Sequence, residues 1–321
     1  MGSMLDQRID DRQAWRADTL DVSACTVTLP QLCLDVLDRA VADMRARSTP
    51  IESFSIEVYD HPALREAMAP VAEALDSGCG FAILDRVPVE RYTPDEARLT
   101  FWLLGQLVGP PFGQNAGGSV LFDVRDEGED VKKGARYAVT NLELTFHTDN
   151  ARSLVVPDYV GLLCLHPAKT GGISQLVNVY TVHNELRDSY PDVLETLYGP
   201  FCFDRRGLTT GQEVSEFPIF EWDGRELLCR FIRLYIEVGH QKADRPLEPH
   251  QVRALDVLEQ TLRRRDLRVE FRMEGGQVLL MNNHWVLHNR TAFEDFPEPE
   301  RKRHFVRLWL ARRNEAFMEK Y

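Results

Sequence analysis

From residue 137 onward, the chain is dominated by short segments with the alternating or β-branched composition of β-strands. These segments are residues 159–165, 174–179, 217–222, 226–232, 268–273, 277–281 and 304–311. Two helical stretches, residues 180–198 and 248–264, interrupt them. Many short strands with few inserted helices are typical of two stacked sheets and not of alternating βαβ units. The pattern predicts a mainly β fold with flanking helices, whose core is a jelly roll over residues 137–313.

The N-terminal part of the chain is predicted to be mostly helical. Helices are predicted over residues 32–47, 63–75 and 94–108, and a strand over residues 80–84. Thr93 can cap the third helix, and Pro94 suits its first turn. Because no repeat or low-complexity linker divides the chain, we expect a single domain over residues 1–321, with residues 1–50 as an N-terminal extension that contains a helix.

Residues 113–136 differ in composition from the segments on either side. They are rich in glycine and charge and have little hydrophobic periodicity. Such a segment is either a solvated loop or a mobile flap, since long loops in compact domains are often lids over functional sites. We therefore expect irregular structure here and treat an active-site lid as a hypothesis.

The formal net charge of −12 limits the classes of partner. Phosphate binding needs clustered Lys and Arg, so nucleic acid is not expected as a partner. No apolar run approaches the roughly 20 residues of a membrane span, and no signal-peptide core is found, so no membrane association is expected. Six scattered cysteines without a CxxC pair predict reduced, mostly buried thiols and a cytoplasmic location. The oligomeric state is left open, and a homo-oligomer is compatible with the sequence.

The sharpest local motif is His147-Thr148-Asp149. In an extended segment, residues two apart point to the same side, so this imidazole and carboxylate can bind one metal ion. A lone HxD motif is weak evidence, because many histidines only satisfy a structural hydrogen bond. His288, at the end of a late strand-like segment, is the natural third ligand. Two imidazoles and one carboxylate leave positions open for a bidentate co-substrate and then oxygen, as non-haem iron(II) oxygenases require.

Two further motifs strengthen the prediction of an iron site. Arg303 and Arg307 would share one face of a strand, and an arginine fork matches a carboxylate in bidentate geometry. A charged edge strand is the plainer explanation of these arginines. Ser174 follows the turn Gly171-Gly172 into a strand, where its hydroxyl can add a hydrogen bond to the same carboxylate. An ordinary turn residue is the plainer explanation of Ser174.

Three segments together resemble the taurine dioxygenase (TauD/TfdA) and clavaminate synthase-like superfamily of Fe(II)/2-oxoglutarate-dependent dioxygenases. They are His147-x-Asp149, PDYVGLLCLHPAKTGGISQLVNV and NNHWVLHNRTAFED…PERKRHFVRLWLA, which lie in this order within about residues 80–313. The resemblance implies a double-stranded β-helix of cupin-like form. It also implies that His147, Asp149 and His288 bind iron(II) as the catalytic metal.

The same resemblance implies how a co-substrate is held. 2-Oxoglutarate would chelate the iron through its keto acid end, and its far carboxylate would meet Arg303. Ser174 stands where many relatives have a threonine. Arg307 matches a second family arginine, which contacts substrate in some members and supports 2-oxoglutarate in others. The resemblance therefore leaves open which arginine makes the main salt bridge.

The implied reaction consumes oxygen and 2-oxoglutarate and oxidises an unactivated C–H bond of a small molecule. Hydroxylation is the expected outcome, with desaturation or cyclisation as variants. Candidate substrate contacts are Phe146, Asn150, Asn141 and Arg307. Weaker candidates, for which a structural or surface role is as well supported, are Tyr137, Glu143, Arg230 and Arg233.

These motifs do not determine the substrate, because one scaffold serves many substrates through its loops. An amino-acid-like or other natural-product intermediate is the leading hypothesis, by analogy. A catabolic dioxygenase acting on a small sulfonate, phosphonate or aryloxy acid is the alternative. A metal-binding jelly-roll protein that does not use 2-oxoglutarate is the alternative of another class, and it would not need a buried Arg303 facing the metal. His284, four residues before His288, is a competing ligand that the family register disfavours.

Overall fold

The computed structural model describes residues 4–10, 13–47, 49–115, 117–128, 139–205 and 212–312. The helices are α1 (Gln31–Arg47), α2 (Pro62–Asp76), α3 (Pro94–Val108), α4 (Val179–Ser189), α5 (Pro191–Leu197), α6 (Arg233–Lys242) and α7 (Pro249–Leu262). The strands of the first half are β1 (Thr26–Thr28), β2 (Phe81–Asp85), β3 (Leu121–Val124), β4 (Tyr159–His166), β5 (Thr170–Gly171), β6 (Ser174–Asn178) and β7 (Pro200–Asp204). The remaining strands are β8 (Val214–Pro218), β9 (Phe220–Trp222), β10 (Leu227–Cys229), β11 (Arg268–Phe271), β12 (Val278–Asn282), β13 (Val286–Arg290), β14 (Phe293–Glu294) and β15 (His304–Leu310).

Two sheets form the centre of the fold. The larger sheet has the strand order β1-β2-β12-β4-β15-β3, in which the β1–β2 pair is parallel and the other pairs are antiparallel. The smaller sheet is antiparallel with the order β11-β6-β13. Apolar residues from both sheets, such as Phe81, Met281 and Leu176, pack into one buried cluster. This arrangement confirms the predicted mainly β fold with a jelly-roll core.

Strand β15 illustrates how the two faces of the larger sheet are used. Val306, Leu308 and Leu310 belong to the apolar cluster that the sheet shares with α1, α2 and α3. Phe305 and Trp309, on the opposite face, join the cluster between the two sheets. Because side chains alternate along a strand, Arg303 and Arg307 share this inner face, as predicted.

The three N-terminal helices cover the outer face of the larger sheet. Helix α3 begins as predicted: Thr93 and Glu96 form a reciprocal capping box, and Pro94 occupies the first turn. A Cβ atom on Gly105 would collide with the side chain of Leu308, so glycine at this position lets the helix pack closely on β15. The helical layer therefore packs against the outer face of β15. The inner face of β15 carries the two arginines.

A second apolar cluster lies beyond the smaller sheet. It contains residues of α4, α5 and α7 together with residues of β7, β9 and β10. The segment before α1 crosses the edge of this region, where the indole of Trp15 donates to the carbonyl of Cys79 and Asn178 donates to the carbonyl of Gln13. The N-terminal extension is thus packed against the central sheets and not separate from them.

Several sequence-based boundaries were wrong. The predicted irregular segment 113–136 contains strand β3, which pairs with β15 at the edge of the larger sheet; residues 116 and 129–136 of this segment lie outside the described residues. The predicted helix 180–198 is two helices, because Pro191 begins α5. Helix α6 and strands β1, β5, β7 and β14 were not predicted, and His288, expected at the end of a strand, lies in the middle of β13.

The cysteines agree with the prediction of reduced, mostly buried thiols. All six thiols are free, and five of them are buried; Cys79 is half-buried. Among the described helices, none combines the length and the hydropathy needed to cross a lipid bilayer.

Candidate metal centre

The chain before β4 passes beside β13 and brings His147 next to His288. The two residues exchange backbone hydrogen bonds, with N···O distances of 3.1 Å and 3.3 Å, as an isolated antiparallel bridge. Their rings lie 4.2 Å apart between centroids. Asp149 Oδ1 lies 3.5 Å from His147 Nε2 and 4.0 Å from His288 Nε2. Within the described residues, these three form the one buried cluster whose nitrogen and oxygen atoms lie close enough together to hold a metal ion.

The hydrogen bonds of the two imidazoles suit metal binding. His147 Nδ1 lies 3.0 Å from the carbonyl oxygen of Thr145, which only a protonated Nδ1 can satisfy. The lone pair of His147 is therefore on Nε2 and faces the cluster. In His288, burial and the neighbouring His147 lower the pKa to about 3. This ring is therefore neutral at physiological pH, as a metal ligand must be.

Asp149 is held in its ionised form. Burial alone would raise its pKa, but Arg307 and the two histidines outweigh burial and bring the pKa well below its usual range. The indole of Trp309 donates to Asp149 Oδ2 at 2.8 Å, and Arg307 Nη1 lies 3.1 Å from Oδ1. Both carboxylate oxygens are thus oriented from the inner face of β15.

The backbone of Asp149 is fixed by a buried amide. Asn283 Oδ1 accepts from the Asp149 N–H at 2.9 Å, and Asn283 Nδ2 donates to the carbonyls of Asp149 and Pro157 at 3.1 and 3.0 Å. Asn283 therefore ties the HxD segment to the turn between β12 and β13. Neither Asn283 nor Trp309 was predicted from the sequence. The available signals were the polar pair Asn282-Asn283 after an apolar strand and a tryptophan two residues after Arg307.

His284 lies away from this centre. Its Nδ1 is 3.3 Å from Glu226 Oε2 and its Nε2 is 3.7 Å from Asp158 Oδ1. Arg312 contacts the same Glu226 through two nitrogens, each 3.1 Å from a carboxylate oxygen. His284 thus belongs to an ionic network, and the structure places His288 in the cluster instead.

Arg303 is buried, with only 5% of the residue exposed. Its Nη1 donates to the carbonyl of Val124 at 3.3 Å, and its Nε has no hydrogen-bond partner in the described residues. No carboxylate lies within ion-pair distance of its guanidinium among these residues. Burial lowers the pKa of Arg303 to about 10, which leaves it charged at neutral pH.

The turn before β6 comes close to Arg303. Gly171 and Gly172 have φ values of +68° and +63°, which favour glycine, and a Cβ on Gly172 would lie 3.6 Å from Arg303 Nε. Ser174 follows at the start of β6, directly opposite Arg290 on β13. The turn that leads into Ser174 therefore lies against Arg303, whereas Arg307 contacts Asp149 of the metal cluster.

A cavity of about 70 Å³ opens beside the three-residue cluster. Its wall is formed by Leu144, Thr145, His147, Thr148, Asp149, Asn150, Ala151, Arg152, Ile232, Tyr235, Arg307 and Trp309. Asn150 and Arg307 thus line the cavity, whereas Phe146 packs in the apolar cluster beyond the smaller sheet and Asn141 is exposed. Arg152 and Tyr235 were missed, because nothing in their local sequence distinguishes them.

Three of the weaker candidates for substrate contact, Glu143, Arg230 and Arg233, do not line this cavity. Arg230 donates to the carbonyl of Ser153 at 2.6 Å and stacks on Phe217, and Arg233 pairs with acidic residues of α6 and α7. Glu143 lines a separate, smaller cavity. Tyr137 lies outside the described residues.

A jelly roll that encloses two imidazoles and one carboxylate defines the class of mononuclear non-haem oxygenases. The family model described as taurine catabolism dioxygenase TauD, TfdA family matches residues 47–309, and the chain belongs to this family. Membership confirms the predicted enzyme class, a 2-oxoglutarate-dependent non-haem iron dioxygenase, and its cofactors: iron(II), 2-oxoglutarate and oxygen. The alternative of a jelly-roll protein that does not use 2-oxoglutarate is thereby set aside.

Individual proteins resemble the chain over most of its length. The FR-33289 synthase of Streptomyces rubellomurinus is 28% identical, over 97% of this chain and 92% of its own. The structure of an asparagine oxygenase with Fe(II), 2S,3S-3-hydroxyasparagine and succinate has a TM-score of 0.68 at 19% identity, over 89% of this chain and 93% of that one. The oxygenase OrfP with Fe and α-ketoglutaric acid has a TM-score of 0.65 at 14% identity, over 92% and 96%. At these identities, the two structures establish the fold.

We expect Asn283→Ala to destabilise the protein by about 2–3 kcal/mol, because it leaves the buried N–H of Asp149 and two carbonyls without partners. Urea denaturation measures the free energy of unfolding. Asn115→Ala, which removes solvent-exposed hydrogen bonds between the half-buried Asn115 and Ser119, is the control and should cost less than about 1 kcal/mol. Equal losses in the two variants would contradict the assigned role of Asn283.

Proposed function

We propose that His147, Asp149 and His288 hold a single iron(II) and that this chain oxidises an unactivated C–H bond of a small natural-product intermediate. The observation that carries the proposal is the buried cluster of two imidazoles and an ionised carboxylate, together with the buried Arg303, which has no carboxylate within ion-pair distance among the described residues. When bound there, iron(II) supplies oxygen activation coupled to the decarboxylation of 2-oxoglutarate to succinate.

The surrounding residues orient the ligands. Thr145 keeps the proton of His147 on Nδ1, and Trp309 and Arg307 limit the rotation of the Asp149 carboxylate. A ligand set that is already oriented loses little further side-chain freedom when the metal binds. The apolar packing between the two sheets keeps bulk water away from this centre.

Arg303 is the residue we assign to the far carboxylate of 2-oxoglutarate, with Ser174 beside it. Arg307 is shared between Asp149 and Gln114, whose Oε1 lies 2.7 Å from Arg307 Nε. Among the described residues, Arg303 donates to a carbonyl through its Nη1 and stacks on the rings of Phe305 and Phe293, with no carboxylate within ion-pair distance. A buried guanidinium of this kind is strongly stabilised by a bidentate carboxylate. We therefore assign the main salt bridge to Arg303 and the wall between metal and substrate to Arg307.

The cavity beside the metal cluster is the proposed substrate site. Arg152 and Tyr235 form part of its wall, with the Arg152 guanidinium 5.1 Å from the centre of the Tyr235 ring. Arg152 suits a substrate with an acidic group, a feature of amino acids and of small phosphonates or sulfonates alike. The relative named as a synthase and the neighbour with bound hydroxyasparagine favour an amino-acid-like or other natural-product intermediate.

In anaerobic protein loaded with iron(II), 2-oxoglutarate should produce a visible metal-to-ligand charge-transfer band. We expect His147→Ala and Asp149→Ala to weaken the band by about tenfold or more, because each removes a metal ligand. His166→Ala, an exposed histidine at the end of β4, is the matched control and should leave the band unchanged. Absence of the band in the unsubstituted protein would refute the proposed iron site.

Arg303→Gln should raise the KM for 2-oxoglutarate by roughly 10- to 150-fold, since hydrogen bonds to charged groups contribute about 1.5–3 kcal/mol. Succinate formation at varied 2-oxoglutarate concentrations measures this change. Lys302→Gln removes a neighbouring exposed charge and should alter the KM less than about twofold. A similar increase in both variants would show a general charge effect in place of a specific contact.

A substrate should stimulate succinate formation above the rate without it. We expect amino-acid-like acids to stimulate more strongly than sulfonates, phosphonates or aryloxy acids, and the neutral amides of the active acids to be weaker substrates, because Arg152 lines the cavity. Mass spectrometry of the oxidised product identifies the carbon attacked. Stimulation confined to the sulfonate, phosphonate or aryloxy set would favour the catabolic alternative.

A further inference from the structure

Arg290 is a second buried arginine near Arg303; it lies in the family-like segment that contains His288, but no role was predicted for it. It lies two residues after His288 on β13, so both side chains point to the inner face. Its cross-strand partner is Ser174, the residue proposed to assist Arg303. The Arg290 side chain is buried, with the whole residue only 7% exposed.

The guanidinium of Arg290 holds the segment 139–144 in place. Its Nη1 donates to the carbonyl of Thr140 at 3.0 Å, and its Nη2 donates to the carbonyl of Leu142. The Leu144 N–H donates in turn to the Arg290 carbonyl at 3.0 Å. This segment leads directly into the metal-binding motif, so Arg290 links the end of β13 to the approach to His147.

Arg290 and Arg303 share an aromatic neighbour. Their Cζ atoms lie 4.6 and 5.2 Å from the ring centroid of Phe293. Neither guanidinium forms an ion pair with a carboxylate in the part of the chain that the structure describes, and the Nε of each is buried without a hydrogen-bond partner. An aromatic ring offsets only part of the cost of burying a cation. Asp295, and for Arg290 also Asp126, act on these cations from beyond ion-pair distance, so an anion bound directly between the two guanidinium groups would stabilise them further.

We infer that Arg290 is a further recognition residue for 2-oxoglutarate, adding a second positive charge for its far carboxylate while clamping segment 139–144 beside the pocket. This inference rests on the proposed role of Arg303. We assign the second cation to the far carboxylate, because Arg290 shares the Phe293 ring with Arg303 and pairs across the strands with Ser174. Arg290 then increases the preference for a dicarboxylate over a monocarboxylic 2-oxo acid.

The test compares two keto acids that chelate the metal in the same way. Anaerobic iron(II) protein is titrated with 2-oxoglutarate and with 2-oxobutyrate, which lacks the far carboxylate, and the charge-transfer band gives both Kd values. We expect Arg290→Gln to lower the preference for 2-oxoglutarate by about tenfold, as loss of one charge near a carboxylate implies. Arg290→Lys keeps the charge and should stay within about threefold of the unsubstituted protein. A folding defect would weaken the binding of both acids equally and leave the ratio of their Kd values unchanged.

Arg303→Gln and Lys302→Gln are the matched controls. If Arg303→Gln lowers the ratio and Arg290→Gln does not, Arg290 has only a structural role and the inference is wrong. If Arg290→Lys loses the preference to the same extent as Arg303→Gln, the clamp and not the charge is responsible, which also overturns the inference. If Arg303→Gln leaves the ratio unchanged, the proposed co-substrate site itself fails. If Arg290→Gln does not fold, the ratio of the two Kd values in Arg290→Lys still shows whether the positive charge or the hydrogen bonds to segment 139–144 are responsible.

Discussion

The paired backbone hydrogen bonds between His147 and His288 are the interaction on which the site depends. They join two distant stretches of chain in antiparallel register and place both imidazoles on the same side. Asp149 follows two residues after His147 and therefore points into the same space. The bridge also aligns β13 with the segment before His147, which lets Arg290 reach the carbonyls of Thr140 and Leu142.

The interior between the two sheets is unusual in the number of charges that it contains. Asp149, Arg303, Arg307 and Arg290 are all buried or nearly so, and burial of unpaired charge is costly. Asp149 and Arg307 compensate one another, whereas Arg303 and Arg290 have no carboxylate partner in the described residues. Binding of an anion would stabilise a fold that buries Arg303 and Arg290 in this way. The dicarboxylate co-substrate of this family has the complementary charge. Stability and co-substrate binding are linked through these residues.

Family membership and substrate choice depend on different parts of the molecule. Strands β13 and β15 carry His288, Arg290 and Arg307, whereas the rest of the cavity wall comes from the segment 144–152, which also carries His147 and Asp149, and from the start of α6. Loops and inserted helices of this kind change between relatives without altering the central sheets. The same architecture can therefore serve an asparagine oxygenase, OrfP and this chain at low sequence identity.

The sequence by itself determined the HxD motif and the shared face of Arg303 and Arg307, because both depend on alternation within a few residues. It also determined the class of fold, through the succession of many short strand-like segments. It also determined the start of α3, where a local capping box operates. Tertiary structure decided the rest. Strand β13 is short and ends in polar residues, so only its pairing with β6 makes it a strand. The contacts of Asn283, Trp309 and Arg290 join segments far apart along the chain, and such contacts leave no local pattern. The carbonyls that accept from Arg290 and the pairing of Asp149 with Arg307 likewise exist only in the folded molecule.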